Sequence, residues 1–366
     1  MTDLLIVGGG PAGLATAIRA RLAGLGTTVI DRARPPIDKA CGEGLMPDAV
    51  ARLREIGVAP RGLPFRGIRY FDRGVVAEGV FPQVGPQAGG LGVRRTELHE
   101  ALVRRAEEVG VDLRWGVKAE GLREGGVETD GGILTARWIV GADGLRSRVR
   151  QWAGLDGGTG PLPRYGVRRH FAMAPWSDFV EVYWGPGCEA YVTPVAPDQV
   201  GVAFLWGGRK ADFDGLLESL PELRARVAGA PPASRDRGMG PLQQRARAVR
   251  GGNLALVGDA AGYFDAITGE GLAVTLHESA ALVEALGAGD LDLYAAAHRR
   301  INRLPNVMTG LVLALERRPR LRARAVRALA AEPALFSRLL GIHARTLPPR
   351  RLGIGALRLA WRLVAV

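Results

Sequence analysis

Apolar residues run unbroken from Leu4 to Val7, stop at a glycine turn, and resume at helical spacing over about Ala12–Ala23. A second apolar run follows at Thr27–Ile30. Buried strand, helix and buried strand in this order predict a βαβ unit at the start of the chain. Pro35-Pro36 opens an irregular segment, and Pro47–Gly57 reads as a short helix. Strand-like pieces at Gly67–Phe71 and Val75–Phe81 stand among glycines and prolines. Leu98, Leu102, Ala106 and Val109 predict a helix over Thr96–Val109, and strands follow at Leu113–Val117, Val127–Thr129 and Ile133–Val140.

Residues 156–245 have a different pattern. Phe179–Trp184, Ala190–Val195 and Val200–Trp206 are rich in Val, Tyr, Trp and Phe, with Pro-Gly and Pro-Asp turns between them, which predicts an antiparallel sheet. Asn253–Val257 returns to a buried strand, and Gly271–Leu286 reads as a helix with a long apolar face. Beyond it the chain predicts helices broken by Pro305, Pro319, Pro333 and Pro348-Pro349. The fold class is α/β. We divide it into a discontinuous first domain (1–62, 90–155 and 246–298), a second, sheet domain (63–89 and 156–245) and a C-terminal helical region (299–366).

Charge changes the picture of that last region. From Arg299 onward there are fifteen arginines and no lysine against Glu316 and Glu332, a net +13; with the whole chain at +12, the first 298 residues sum to about −1. The tail lacks the interleaved aromatics of a nucleic-acid surface, so no nucleic-acid partner is expected. Leu357, Leu359, Ala360, Leu363 and Val364 with Arg358 and Arg362, and the stretch Pro319–Arg327, suit either an anionic membrane surface or a solvated face packed on the body. With no signal peptide and no apolar run of about 18 residues, a cytoplasmic chain is expected, peripheral at the membrane in the first of these two cases. Cys41 and Cys188 stand in unrelated contexts, and the five histidines are scattered, so neither a disulfide framework nor a metal site is expected.

The chemistry concentrates in three motifs. Gly8, Gly10 and Gly13 fit G-x-G-x-x-G, with Pro11 and Ala12 opening the helix. One glycine makes the tight turn, the next lets backbone approach a pyrophosphate, and the third lets helix and strand pack closely. Asp31, followed by Arg32, ends the second strand 18 residues past Gly13, where a carboxylate accepts ribose hydroxyls. Asp143 and Gly258-Asp259 each follow a buried strand directly, at the edge of a parallel sheet where ligands bind. Thr268-Gly269-Glu270-Gly271 then opens a helix.

Together these motifs resemble the flavoprotein monooxygenase and geranylgeranyl reductase superfamily over roughly residues 1–290. The resemblance implies a Rossmann-like FAD-binding domain of the GR2 type with an inserted antiparallel substrate sheet. It implies non-covalent FAD, with NAD(P)H as a transient reductant. By it, the Gly8–Gly13 loop holds the pyrophosphate, Asp31 the ribose, and Arg95 reaches the FAD from the start of a helix. Val117 would lie beside the adenine, or else be a core valine. Asp143 belongs to a motif shared between FAD and nicotinamide binding. Asp259 takes the ribityl chain or its phosphate, and Gly269 and Gly271 supply backbone near the isoalloxazine.

Two readings of the reaction remain. Cys41-Gly42-Glu43-Gly44-Leu45 resembles the Cys-Gly-x-Gly-Leu segment of prenyl reductases, in which Cys41 or Glu43 could supply a proton; each could instead be a packing or loop residue. Against this, the reductases' Tyr-x-Trp-x-Phe-Pro stretch is reduced here to Tyr191 and Pro194, and Ala266 replaces a usual proline. The expectation therefore favours an NAD(P)H-dependent monooxygenase. It would hydroxylate or epoxidise an apolar small molecule through a flavin C4a-hydroperoxide, with a double-bond reductase and a non-catalytic redox or scaffold protein as alternatives. The halogenases' Trp-x-Trp-x-Ile-Pro stretch is not found. Tyr191, Phe204 and Trp206 are candidate substrate-pocket residues, or else sheet core. The sequence leaves the oligomeric state open.

Overall fold

The computed structural model describes residues 2–83, 89–161, 163–208 and 211–352. Thr2–Val7, Thr27–Asp31, Asp112–Trp115, Gly132–Gly141 and Leu254–Leu256 form a parallel sheet with Thr2–Val7 at its centre, between Gly132–Gly141 and Thr27–Asp31. Strand order reverses there, so a crevice opens at the carboxyl ends of the strands. Leu4, Ile6, Val29 and Val140 are buried on one face under the helices Pro11–Leu22, Arg95–Glu108 and Gly271–Ala288. Gly8 has φ +115°, and an added Cβ would lie 2.4 Å from the Ala142 carbonyl oxygen, so only glycine turns here.

A second sheet runs Arg237–Met239, Arg164–Ala172, Gln199–Gly207, Cys188–Ala196, Val180–Trp184, Gly67–Asp72 and Val75–Val80. It is antiparallel except where Val180–Trp184 pairs in parallel with Gly67–Asp72. That one parallel pair joins two segments more than a hundred residues apart. One face packs on the short helices Phe213–Glu218 and Pro221–Val227, which the sequence reading missed among the strand signals.

The other face meets the C-terminal helices. Leu291–Glu316 is continuous through Pro305, contrary to the expected break, and it also crosses the boundary drawn at residue 298. Pro319 and Pro333 do start new helices, Pro319–Ala331 and Pro333–His343, where a missing N–H costs nothing. Within Pro319–Ala331, Ala323, Val326 and Leu329 are buried, and Arg322 makes a paired contact with Asp72 at 3.1 Å through both Nε and Nη2. The apolar side of this helix thus faces the protein, while Arg317, Arg318, Arg320 and Arg327 are exposed. The expectation for residues 357–364 falls outside the described residues. No helix among the described residues is long and apolar enough to cross a membrane.

Candidate active site

The crevice of the first sheet continues into a cavity of ≈ 650 Å³ between the two sheets and the C-terminal helices. Its nucleotide end is built by Gly10, Pro11, Ala12, Arg95, Asp259, Gly269 and Gly271. The helix Pro11–Leu22 starts at Gly10 with no side chain capping it, so its first N–H groups are open to an anion. A Cβ added at Gly10, Gly42 or Gly269 would meet no protein atom within 4 Å, although all three line the cavity. At Gly13 the same Cβ would lie 1.9 Å from the Gly8 carbonyl oxygen. Gly13 is therefore needed by the fold, as is Gly269 at φ +69°, whereas Gly10 and Gly42 keep space clear for something else.

The charges agree. Arg95 is 5% exposed, and its Nη1 has no hydrogen-bond partner among the described residues. Burial pulls its pKa down against the attraction of Cys41, Asp38, Glu43 and Asp259, so an anion at this point would relieve it. Asp259 lines the cavity, and burial pushes its carboxyl up against the pull of Lys39. An orphaned buried cation, an uncapped helix N-terminus and glycines facing open space fit a diphosphate nucleotide.

Other expected residues are already engaged. Asp31 accepts from the backbone N–H groups of Gly9 and Ala33, both at 2.8 Å, at the edge of the glycine loop. Asp143 caps the helix Arg148–Trp152, accepting from the Arg148 N–H at 2.7 Å and contacting Ser147 Oγ at 2.5 Å. It does not line the cavity, although Ala142 and Gly144 beside it do. Gly258 has φ +63° and donates its N–H to Glu278 Oε2 at 2.9 Å. Arg32 is exposed. Val117 packs against the core of the parallel sheet, outside the cavity.

The second half of the cavity is apolar. Ile68, Val182 and Leu205 come from the second sheet; Met308, Val312 and Leu340 come from the C-terminal helices. Tyr191 lies on this wall and donates its hydroxyl to the Ile267 carbonyl at 2.7 Å. Trp206 is a correction. Alternation along Gln199–Gly207 sends Ala203 and Leu205 to the cavity and turns Trp206 to the opposite face, where it packs on Tyr165 with ring centroids 5.7 Å apart. Phe204 borders the cavity, yet it belongs to the same opposite cluster, its ring edge-on to Phe213 at 5.1 Å.

Cys41 and Glu43 both line the cavity. Burial and then the Glu43 charge push the Cys41 thiol up, so it is a neutral thiol near pH 7. Glu43 is 3% exposed, and both oxygens are held: Oε1 accepts from the Arg95 N–H at 2.8 Å, and Oε2 lies 2.5 Å from His170 Nε2.

Besides His170, two histidines were missed. His99 Nε2 donates to the Gly9 carbonyl at 2.8 Å, and burial pulls its pKa down to about 4, so a neutral ring fixes the glycine loop. Its signal was present as the i+4 neighbour of Arg95 on one helix face. His343, from the C-terminal region, lines the cavity and donates from Nε2 to the Thr268 carbonyl at 2.8 Å. Nothing in the local sequence marks that contact.

Comparison with known proteins agrees with this geometry. The family described as "FAD binding domain" matches residues 1–185. Menaquinone reductase of Mycobacterium tuberculosis is 29% identical over 315 residues, covering 79% of this chain and 77% of that protein. A 3-(3-hydroxy-phenyl)propionate/3-hydroxycinnamic acid hydroxylase of Mycobacterium sp. is 34% identical over 179 residues, but this covers 44% of the chain and 31% of the hydroxylase. A flavoprotein/dehydrogenase from Cytophaga hutchinsonii shares the fold with a TM-score of 0.81 at 16% identity, over 98% of this chain and 96% of that one.

Proposed function

The chain belongs to the FAD binding domain family and is an FAD-dependent oxidoreductase; from that premise we propose that it reduces a carbon–carbon double bond of a long apolar, prenyl-type substrate with electrons from NAD(P)H. The observation that carries this is the apolar cavity running from Asp259 and Gly10 to Met308 and Leu340. Bound FAD supplies a two-electron carrier between the reduced nicotinamide and the acceptor. The chain's own residues hold it. Gly10 and the helix start receive the diphosphate, Arg95 neutralises it, Asp259 accepts from ribityl hydroxyls, and Gly269 and Gly271 give room to the ring. Aliphatic walls align the substrate and exclude water, and Cys41 presents a protonated thiol to the cavity.

This reverses the order of the two readings drawn from the sequence. The likeness to a menaquinone reductase spans the substrate sheet, whereas the likeness to a hydroxylase spans less than half of the chain. The hydroxylase reading thus rests on a likeness over the smaller share of the chain. Contact of the exposed Arg317, Arg318 and Arg320 with an anionic membrane belongs to the same proposal, since a prenyl-type substrate resides there. Absence of sedimentation with anionic vesicles would remove it.

The test is anaerobic reduction of the holoprotein by NADH and by NADPH, then mixing with a short-chain menaquinone or with oxygenated buffer. Rapid anaerobic reoxidation, with a product that has gained two hydrogens in its prenyl chain and keeps its quinone ring, supports the reductase. Substrate-dependent reoxidation only with oxygen, with a product that has gained one oxygen, makes it a monooxygenase. No flavin reduction by either nicotinamide returns the scaffold reading.

A further inference from the structure

Behind the Cys41–Glu43 wall, three polar side chains from distant segments form one hydrogen-bonded line. Ser234 Oγ lies 2.8 Å from His170 Nδ1, and His170 Nε2 lies 2.5 Å from Glu43 Oε2. His170 is 0% exposed, while Ser234 is half-buried next to residues 235–238, which are exposed. Glu43 borders the cavity. The line therefore runs from the outer surface, through the substrate sheet, to the reacting space.

Its surroundings orient it. Arg168 Nη1 donates toward His170 Nδ1 at 3.1 Å, and its Nη2 is held by Asp38 Oδ1 at 2.5 Å. With a guanidinium on the Nδ1 side, that nitrogen accepts, and the ring proton sits on Nε2 against Glu43. Arg94 and Arg168 flank Glu43 Oε1 at 3.9 and 4.0 Å. Burial pulls the His170 pKa down, more than the neighbouring Glu43 raises it, so the ring is neutral between transfers. Space has been left for the contact as well. A Cβ on Gly201 would approach Glu43 Oε2 to 3.2 Å and His170 Cδ2 to 3.5 Å. Glu43 itself has φ +59°, a strained backbone for a non-glycine residue. Buried polar groups of this kind cost stability unless fully paired, so packing alone does not account for them.

We propose that Ser234, His170 and Glu43 form a relay that carries a proton from solvent to the cavity, with His170 as the residue that positions and recharges Glu43. The proposal rests on the reductase reading. There NAD(P)H provides the electron pair and one hydrogen, the double bond accepts them, and water must provide the second hydrogen as a proton. The Ser234 hydroxyl proton moves to Nδ1, the Nε2 proton moves to Glu43, and Glu43 passes it into the cavity where Cys41 and the substrate lie. Water restores Ser234, rotation of the imidazole brings a protonated nitrogen back to Glu43, and charge balances over each turnover. Oxygenation by the alternative chemistry also consumes one proton, so the relay would serve either reaction.

The experiment compares wild-type holoprotein with His170→Asn, His170→Ala, Ser234→Ala and Gly201→Ala. Each half-reaction is timed in H₂O and D₂O, and imidazole nitrogens are followed by NMR. We expect FAD retention and reduction by NADPH to change less than twofold in His170→Asn. Substrate-dependent reoxidation should slow tenfold or more, with an altered solvent isotope effect, and added imidazole should partly restore His170→Ala. NMR should show the Nε2–H tautomer, with ring-proton exchange slowed in Ser234→Ala. Equal slowing of both half-reactions, or unchanged reoxidation, overturns the relay, as does a proton on Nδ1. If wild-type protein reduces no prenyl substrate, the reductase reading fails, and tautomer and exchange then decide the relay by themselves.

Discussion

The Arg345 guanidinium donates at 3.0 Å to the Ile301 carbonyl, the acceptor that Pro305 leaves without its helical donor. A proline inside a helix removes one i→i−4 bond and crowds the preceding turn, at about 3 kcal/mol or more. Here the chain returns forty-four residues later to satisfy the freed oxygen, and the helix continues to supply Met308 and Val312 to the cavity.

Arg345→Ala should therefore lower stability by about 1–2 kcal/mol in the natural background and by much less in a Pro305→Ala background, where the helical N–H is restored. A double-mutant cycle by urea denaturation measures this. Equal losses in both backgrounds would separate the two residues.

Gly10→Val and Gly13→Val should part company. The first meets open space in the protein, so the fold should persist by circular dichroism while bound FAD falls at least tenfold. The second collides with the Gly8 backbone and should lose the fold as well. Purified Gly10→Val protein with a full flavin spectrum would contradict the cradle described above.

Glu189 gives a pH prediction. It is fully buried beside Arg164, which also faces Asp265 and Glu316, and burial outweighs the arginine, pushing its carboxyl up to about 8. Between the ordinary value of 4.5 and about 8, the folded protein holds a proton that the unfolded chain has released. Stability should fall as pH rises through this window, by up to about 1.4 kcal/mol per unit. Glu189→Gln should flatten that slope in denaturation curves taken from pH 5 to about 8.

Met308→Trp should narrow the apolar arm of the cavity without touching the FAD end. FAD content should stay the same, while turnover of long-chain substrates falls more than that of short ones. Chain-length profiles of kcat/KM measure this, and a uniform loss would place the substrate elsewhere.

The cofactor end was legible because it is local. Gly8 to Gly13, Asp31 and Asp259 each sit where a strand or helix ends, and backbone geometry ties their function to a short stretch of sequence. Substrate residues were harder. Tyr191, Phe204 and Trp206 carry the same aromatic signal, but alternation puts only Tyr191 fully on the cavity side, and strand phase cannot be read from composition. Glu43 presented a proton-donor motif, whereas its actual partners, His170 and the Arg95 N–H, come from other strands and helices.

The sequence by itself determined the βαβ start, the FAD-binding glycines and the all-arginine tail, because each depends on residues within a few positions of one another. Only the tertiary structure decided that Arg322 of the tail lies buried against Asp72, that Pro305 is tolerated, that His343 reaches the cavity and that His170 stands behind Glu43. Those contacts join segments separated by tens to hundreds of residues, and the free energy that selects them is the burial and pairing of groups that local pattern does not connect.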